Sequence, residues 1–98
     1  EKINISYTAE ALKNLKCIEY SKFQLMGSQE LADVVSTAAR NANIIIMENH
    51  GAVTLGKTLL EAFYRMELLE NAARMSFYSR FIAVDELETQ EKERICKL

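Results

Sequence analysis

The chain contains few residues of the types that interrupt helices and strands or that form disulfides and metal sites. Its 98 residues include no proline, three glycines, two cysteines and one histidine. The sequence shows no linker, internal repeat or low-complexity segment, and its length allows one domain at most. The hydrophobic fraction of 49% and the charged fraction of 27% are ordinary for a globular domain.

Two classes of partner are excluded by what is absent. Twelve Lys and Arg residues are scattered among fourteen acids, whereas a surface for nucleic acid or anionic lipid needs clustered basic residues. The apolar runs are only a few residues long, against the ~20 residues that a spanning helix requires. No signal-peptide pattern opens the chain. We therefore expect no nucleic-acid partner and no membrane partner.

The two cysteines indicate a reducing compartment. Cys17 and Cys96 lie far apart in sequence, and neither belongs to a CxxC or Cys–His pair of the kind that binds zinc. Reduced thiols in a cytoplasmic protein are the simplest interpretation. A disulfide or a role in metal binding is the alternative.

The first part of the chain predicts a short strand and a short helix. Ile3, Ile5 and Tyr7 alternate with polar residues, which favours a half-buried strand. Thr8 is a suitable N-cap for a helix over residues 9–16, because its hydroxyl can accept a hydrogen bond from an unpaired backbone N–H. The following segment, CIEYSKFQLM, is expected to be extended or irregular.

A clearer helix and a buried strand come next. Gly27 and Ser28 break the preceding segment, and a helix is predicted from Gln29 to Arg40. Its apolar positions recur at helical spacing, at Leu31, Val34, Val35, Ala38 and Ala39. The run IIIM, residues 44–47, lacks any alternation with polar residues, which is typical of a strand buried on both faces.

A second β-rich segment, AVTL, and a long helix complete the pattern. Thr58 and Glu61 form a capping box at the start of that helix. Its buried stripe is predicted to comprise Leu59, Ala62, Phe63, Met66, Leu69, Ala73, Ser76 and Phe77. Glu61 with Arg65, and Glu70 with Arg74, are i,i+4 pairs worth a few tenths of a kcal/mol each. The segment Asp85-Glu86-Leu87-Glu88 is expected to cap a weakly amphipathic C-terminal helix.

The single histidine follows the buried strand. In layered α/β folds, ligands bind in loops beyond the carboxyl ends of strands, and His50 lies in such a loop. Gly51 beside it lacks a Cβ, which would allow a sharp turn and the close approach of another group. A neutral imidazole can bind zinc, but zinc takes three or four ligands and no other residue has suitable spacing. Spacing alone leaves open a metal ligand or a hydrogen-bonded structural histidine.

The segment IIIMENHGAVTLGKTLLEAFYRMELLENAARM resembles the class II aldolase and adducin family. That family includes fuculose-phosphate aldolase, rhamnulose-phosphate aldolase and ribulose-phosphate 4-epimerase. The resemblance extends upstream through YSKFQLMGSQELADVV and covers roughly residues 20–83. Its most specific part is Asn-His-Gly followed by Gly56 and the helix start Glu61-Ala62-Phe63. It implies a three-layer α/β/α fold, of which residues 1–98 would form the C-terminal portion.

The resemblance also implies a role for His50. In the family this histidine is the last of three zinc ligands, so His50 is expected to bind Zn²⁺. The other two ligands form a His-x-His pair, and that pair, the acid/base glutamate and the phosphate-binding loop belong to the family's N-terminal half. None of them can be placed on a chain with one histidine, so its catalytic and substrate-binding residues are unknown. A homotetramer with active sites at subunit interfaces is the implied assembly.

The implied reaction is the retro-aldol cleavage of a ketose 1-phosphate such as fuculose 1-phosphate, a step of carbohydrate metabolism. It yields dihydroxyacetone phosphate and an aldehyde, with a divalent metal stabilising the enediolate and a carboxylate moving the proton. The chain alone is expected to be inactive, because it carries only one of the three expected metal ligands. The alternatives are a relative of the 4-epimerase, a dehydratase, or a non-catalytic interaction domain of the adducin kind.

Overall fold

The computed structural model of the protein describes residues 2–98. Within this range the chain forms four helices and three strands. In chain order they are α1 (Ala9–Leu15), β1 (Glu19–Ser21), α2 (Gln29–Ala39), β2 (Ile44–Met47), β3 (Gly51–Thr54), α3 (Leu59–Tyr78) and α4 (Thr89–Cys96). None of these helices has the length and hydropathy needed to cross a bilayer.

The three strands form one sheet in the order β1–β2–β3. β1 and β2 run parallel, as a connection through a helix such as α2 allows. β2 and β3 run antiparallel, with Ile44 opposite Thr54 and Met47 opposite Gly51. β2 is therefore the inner strand of this sheet, in agreement with the prediction for residues 44–47.

Helices cover both faces of the sheet. Ile44 and Ile45 each have 0% of their surface exposed, although consecutive side chains of a strand point to opposite faces. Ile44 packs in the core cluster with Leu15 of α1 and Leu69 of α3. Ile45 does not belong to that cluster, and α2 packs on β1 and β2. The layers are thus α1 and α3, the sheet, and α2, which confirms the predicted α/β/α class.

Helix starts form where side-chain capping predicts them. The hydroxyls of Thr8, Ser28 and Thr58 each accept a hydrogen bond from the backbone N–H three residues on, at 3.2, 3.1 and 3.1 Å. The second half of the predicted capping box differs, because the Glu61 carboxylate accepts from the N–H of Lys57 at 3.3 Å and not from that of Thr58. The helix starts therefore depend on local chemistry that the sequence displays directly.

The predicted strand at residues 3–7 is wrong. This segment pairs with no strand among residues 2–98, and side chains satisfy part of its backbone instead. The N–H of Ile3 donates to the Tyr20 hydroxyl and that of Asn4 to the Ser76 hydroxyl, both at 2.9 Å. The alternating isoleucines still serve the core, because they pack against the buried cluster.

The predicted buried stripe of α3 is only partly right. Leu69 is buried as predicted, whereas Leu59, Phe63 and Phe77 are 88%, 59% and 55% exposed. Ala72, which was not part of the predicted stripe, is buried instead of Ala73. The reason is that β3 and α1 contact a different face of the helix from the one that carries most of its large apolar side chains. Periodicity locates apolar faces of a helix but does not say which neighbour covers them.

Candidate functional site

His50 lies at the carboxyl end of the inner strand, as predicted. Residues 48–50 form the loop between β2 and β3, since Met47 and Gly51 are paired across it. The N–H of His50 donates to the carbonyl oxygen of Met47 at 3.0 Å, which closes the turn. The His50 residue is exposed, so it projects from the tip of a hairpin and not into the core.

Asn49, and not Gly51, gives the loop its sharp turn. Asn49 has a φ of 59°, in the left-handed region that asparagine tolerates better than most residues. Gly51 lies in β3, and nothing lies within 4 Å of the position that its Cβ would take. Gly51 therefore does not make the sharp turn expected of it, whereas the close approach of another group at this position stays a prediction. The tolerance of asparagine for positive φ was the signal that could have identified Asn49.

The end of β1 anchors the base of the His50 loop. Because β1 and β2 are parallel, their carboxyl ends meet, and Ser21 lies opposite Met47. The N–H of Glu48 donates to the carbonyl oxygen of Ser21 at 3.1 Å. Ser21 itself is 6% exposed, and its hydroxyl has no hydrogen-bond partner within residues 2–98. Sequence reasoning missed this residue, since only the pairing of β1 with β2 places it beside the loop.

A metal-binding role for the imidazole of His50 stays a prediction. No hydrogen bond joins this imidazole to another group within residues 2–98. Imidazole nitrogen is a common ligand of zinc, which needs at least three protein ligands. Among residues 2–98, however, no three His, Cys, Asp or Glu side chains are grouped so that they could hold an ion. Cys17 and Cys96 are exposed free thiols.

Arg65 of α3 connects this helix to α1 and to the residue that follows β3. Its guanidinium donates to the carbonyl oxygen of Leu55 at 2.6 Å and to that of Asn14 at 3.1 Å, and pairs with Glu61 at 2.8 Å. The hydrogen bond from the N–H of Lys57, followed by the charge of Arg65, holds the pKa of the Glu61 carboxyl below its usual value. The predicted Glu61–Arg65 pair thus also joins α3 to α1 and to the end of β3.

A family model matches most of the chain. Residues 1–77 match the model described as Class II Aldolase and Adducin N-terminal domain. The match includes the His50 loop and nearly all of α3.

Two relatives of this chain bear the same name. An L-fuculose phosphate aldolase of Methanococcus vannielii is 43% identical over 70 residues, which are 71% of this chain and 38% of that protein. One of Methanocaldococcus jannaschii is 37% identical over 75 residues, which are 76% of this chain and 40% of that protein. The chain thus spans about two fifths of the length of these relatives.

Two solved structures share the fold. YgbL of Klebsiella pneumoniae superposes with a TM-score of 0.83 at 23% identity, over 93% of this chain and 44% of that one. YgbL of Escherichia coli superposes with a TM-score of 0.87 at 21% identity, over 97% and 46%.

Proposed function

Because this chain belongs to the class II aldolase and adducin family, we propose that it is part of a metal-dependent lyase in which His50 is one metal ligand. The proposed reaction is the retro-aldol cleavage of a ketose 1-phosphate such as fuculose 1-phosphate to dihydroxyacetone phosphate and an aldehyde. The names of the two relatives described above support this substrate class. The observation that carries the proposal is the exposed imidazole at the carboxyl end of β2, held by a hairpin that is anchored on β1.

The role of His50 in this proposal is to bind and orient. A bound divalent ion such as Zn²⁺ supplies Lewis acidity, which stabilises the negative charge left on the substrate's oxygens when the carbon–carbon bond breaks. His50 presents an imidazole nitrogen as the ligand. The backbone that carries it is held by the hydrogen bonds from the N–H of His50 to Met47 and from the N–H of Glu48 to Ser21. Restricting the ligand in this way reduces the entropy lost on binding.

The remaining parts of the site are proposed to lie in the portion of the family's domain that this chain does not match. That portion would supply the other ligands, the acid/base carboxylate and the contacts to the phosphate. The free thiols of Cys17 and Cys96 support a cytoplasmic location. A homotetramer is the proposed assembly of the complete enzyme.

A variant of His50 tests the proposal. In the complete enzyme, His50→Ala is expected to lower the bound zinc and the cleavage of fuculose 1-phosphate by at least about tenfold, since a catalytic site with three ligands would lose one. Its melting temperature should stay nearly unchanged, because His50 is exposed. Glu48→Ala, in the same loop and also exposed, is the matched control and should keep both metal and activity.

Two results would contradict the proposal. Normal zinc content in His50→Ala together with a loss of several kcal/mol of stability would support the structural-histidine interpretation. Zinc-dependent cleavage by the 98-residue chain alone would show that the site needs no further ligands. A panel of sugar phosphates, assayed for cleavage, epimerisation and dehydration, separates the aldolase from the epimerase and dehydratase alternatives.

A further inference from the structure

A groove runs between β1 and α2, on the face of the sheet opposite to α1 and α3. Its volume of about 340 Å³ is at the lower end of the range for small-ligand pockets. The lining comes from β1, from α2 and from the residue after Arg40, so the groove follows the side of β1 that faces away from β2. The main lining residues are Glu19, Ser21, Asp33, Val34, Thr37 and Asn41.

Strand alternation brings two polar side chains of β1 into this groove. Glu19 and Ser21 lie on one face of β1, because side chains two residues apart in a strand point the same way. Tyr20 points to the other face, where its hydroxyl accepts a hydrogen bond from the N–H of Ile3 at 2.9 Å. Asp33 lines the groove from the side of α2. The groove therefore lies between acidic side chains of two elements.

Ser21 supplies a buried polar group that lacks a partner. The residue is 6% exposed, and its hydroxyl makes no hydrogen bond within residues 2–98. A buried hydroxyl without a partner costs free energy, so its presence in the lining of a groove indicates a place for a bound water, ion or ligand. The carbonyl oxygen of Ser21 already accepts from the N–H of Glu48. The hydroxyl is thus the group that remains for a ligand.

The groove carries two negative charges that no cation of the described chain neutralises. Glu19 and Asp33 form no ion pair with a Lys or Arg among residues 2–98. One oxygen of Asp33 accepts a hydrogen bond from the side chain of Gln29 at 2.8 Å, which leaves the other oxygen available. Val34 and Ala38 form the apolar part of the lining. A cleft with charges of one sign beside apolar surface attracts ions of the opposite charge.

The chemistry of the lining suits an organic cation better than a metal ion. A protein site for zinc needs at least three ligands, and no three His, Cys, Asp or Glu side chains are grouped to hold an ion among residues 2–98. An alkylammonium group instead donates three hydrogen bonds, for which two carboxylates and a hydroxyl are suitable acceptors. Its aliphatic chain can lie along apolar surface while the charged end stays among polar groups.

We propose that the groove between β1 and α2 is a binding site for an alkylammonium group. The carboxylates of Glu19 and Asp33 and the hydroxyl of Ser21 accept its hydrogen bonds, and its aliphatic chain lies on Val34 and Ala38. A free aliphatic amine and a lysine side chain of another protein are the two sources of such a group. The proposal does not rest on the role of His50.

Ligand-observed nuclear magnetic resonance tests the site, with butylammonium titrated into the complete protein. We expect saturable binding with a Kd of about 1–10 mM at low salt, because exposed carboxylates contribute little each. Raising the salt to about 0.5 M should weaken binding at least about threefold, since exposed charges are screened. 1-Butanol has the same chain without the charge, so it is the control and should show no saturable binding.

A second probe distinguishes the two sources of the ligand. N-acetyl-lysine N-methylamide carries the same cation on a four-carbon chain, with amide groups that can pair with the open edge of β1. A Kd at least about fivefold below that of butylammonium would identify the lysine side chain of a protein as the ligand. Equal or weaker binding would identify a free amine.

Two acids of α2 provide matched variants. Asp33→Asn is expected to raise the Kd of butylammonium about fivefold, because it removes one charge from the groove and keeps the shape of the side chain. Glu30→Gln removes one charge from an exposed position of the same helix outside the groove, and should change the Kd less than about 1.5-fold. Ser21→Ala should raise the Kd about threefold without lowering the melting temperature, since its hydroxyl has no partner to lose.

Four results would overturn the proposal. The first is the absence of saturable binding of butylammonium. The second is equally tight binding of 1-butanol, which would show that the groove takes apolar chains regardless of charge. The third is an equal Kd in Asp33→Asn and Glu30→Gln, which would show that binding follows the net charge of the protein. The fourth is a lower melting temperature of Ser21→Ala with an unchanged Kd, which would assign the hydroxyl to the fold.

Discussion

Asn49 is the residue on which the geometry of the His50 loop depends most. Its φ of 59° lies in a region that β-branched residues adopt only with strain. We expect Asn49→Val to lower the free energy of unfolding by about 1–2 kcal/mol. Asn49→Gly should change it by less than about 0.5 kcal/mol, because glycine adopts positive φ freely. Urea denaturation of both variants measures the difference, and equal losses would contradict this account of the loop.

A second prediction at the residue scale compares two glycines. A Cβ on Gly56 would lie 2.7 Å from the backbone nitrogen of Ala62, whereas one on Gly51 would meet nothing within 4 Å. Gly56→Ala should therefore lower the free energy of unfolding by about 1–3 kcal/mol, as overpacking against fixed backbone does. Gly51→Ala is the control and should be neutral or slightly stabilising. Thermal melts of the two variants would refute the prediction if Gly56→Ala were as stable as Gly51→Ala.

At the scale of the element, the start of α3 is expected to make stability depend on pH. The hydrogen bond from Lys57, followed by the charge of Arg65, sets the pKa of Glu61 below the ordinary value of 4.5. A carboxyl group whose pKa is lower in the folded state stabilises the fold above its unfolded pKa. That stabilisation is lost as the pH falls through the folded pKa.

The variant Glu61→Gln removes this titration. Denaturation midpoints of the wild type and the variant, measured between about pH 6 and pH 3, should converge as the pH falls through this window. A constant difference between the two across the range would show that Glu61 contributes nothing through its charge.

The elements also show which features a sequence can predict. Thr8, Ser28 and Thr58 cap their helices through hydrogen bonds to residues three positions away, so the signal and its partner lie within one turn. The short strand β1 was expected only as part of an extended segment, because its pairing with β2 crosses the whole of α2. The face of α3 that is buried depends on β3 and α1 in the same way. Sequence patterns predict contacts between residues within about one helical turn. Contacts between residues that are distant in sequence become known only from the fold.

At the scale of the whole molecule, the α/β/α class and the place of His50 were predictable, but the rest of the candidate site was not. The buried run at residues 44–47 indicated an inner strand, and His50 follows it directly in sequence. Ser21 comes beside the loop only through parallel strand pairing. No sequence pattern within the chain indicates further ligands.

The open surfaces of the molecule predict its behaviour in isolation. β1 and β3 are both edges among the described strands, and Leu59, Phe63 and Phe77 of α3 are 88%, 59% and 55% exposed. At roughly 25 cal/mol per Å², a few hundred Å² of uncovered apolar surface is worth several kcal/mol, which is comparable to the stability of a small domain. We expect the isolated 98-residue chain to self-associate or to be marginally stable.

Sedimentation and thermal melting at several protein concentrations check this expectation. Self-association should raise the sedimentation coefficient and the melting temperature with concentration. A monomer with a high melting temperature that does not change with concentration would show that the uncovered surfaces carry little energy.

The hairpin that carries His50 has a consequence for the order of folding. β2 and β3 are joined by a loop of three residues, 48–50, so their pairing closes a very short stretch of chain. Hairpins of this kind form within about 1–10 μs, whereas the parallel pairing of β1 with β2 must wait until the chain through α2 has been brought around. We therefore expect the His50 loop to belong to the unit that forms early. Its turn is in place while the long-range parts of the sheet are still assembling.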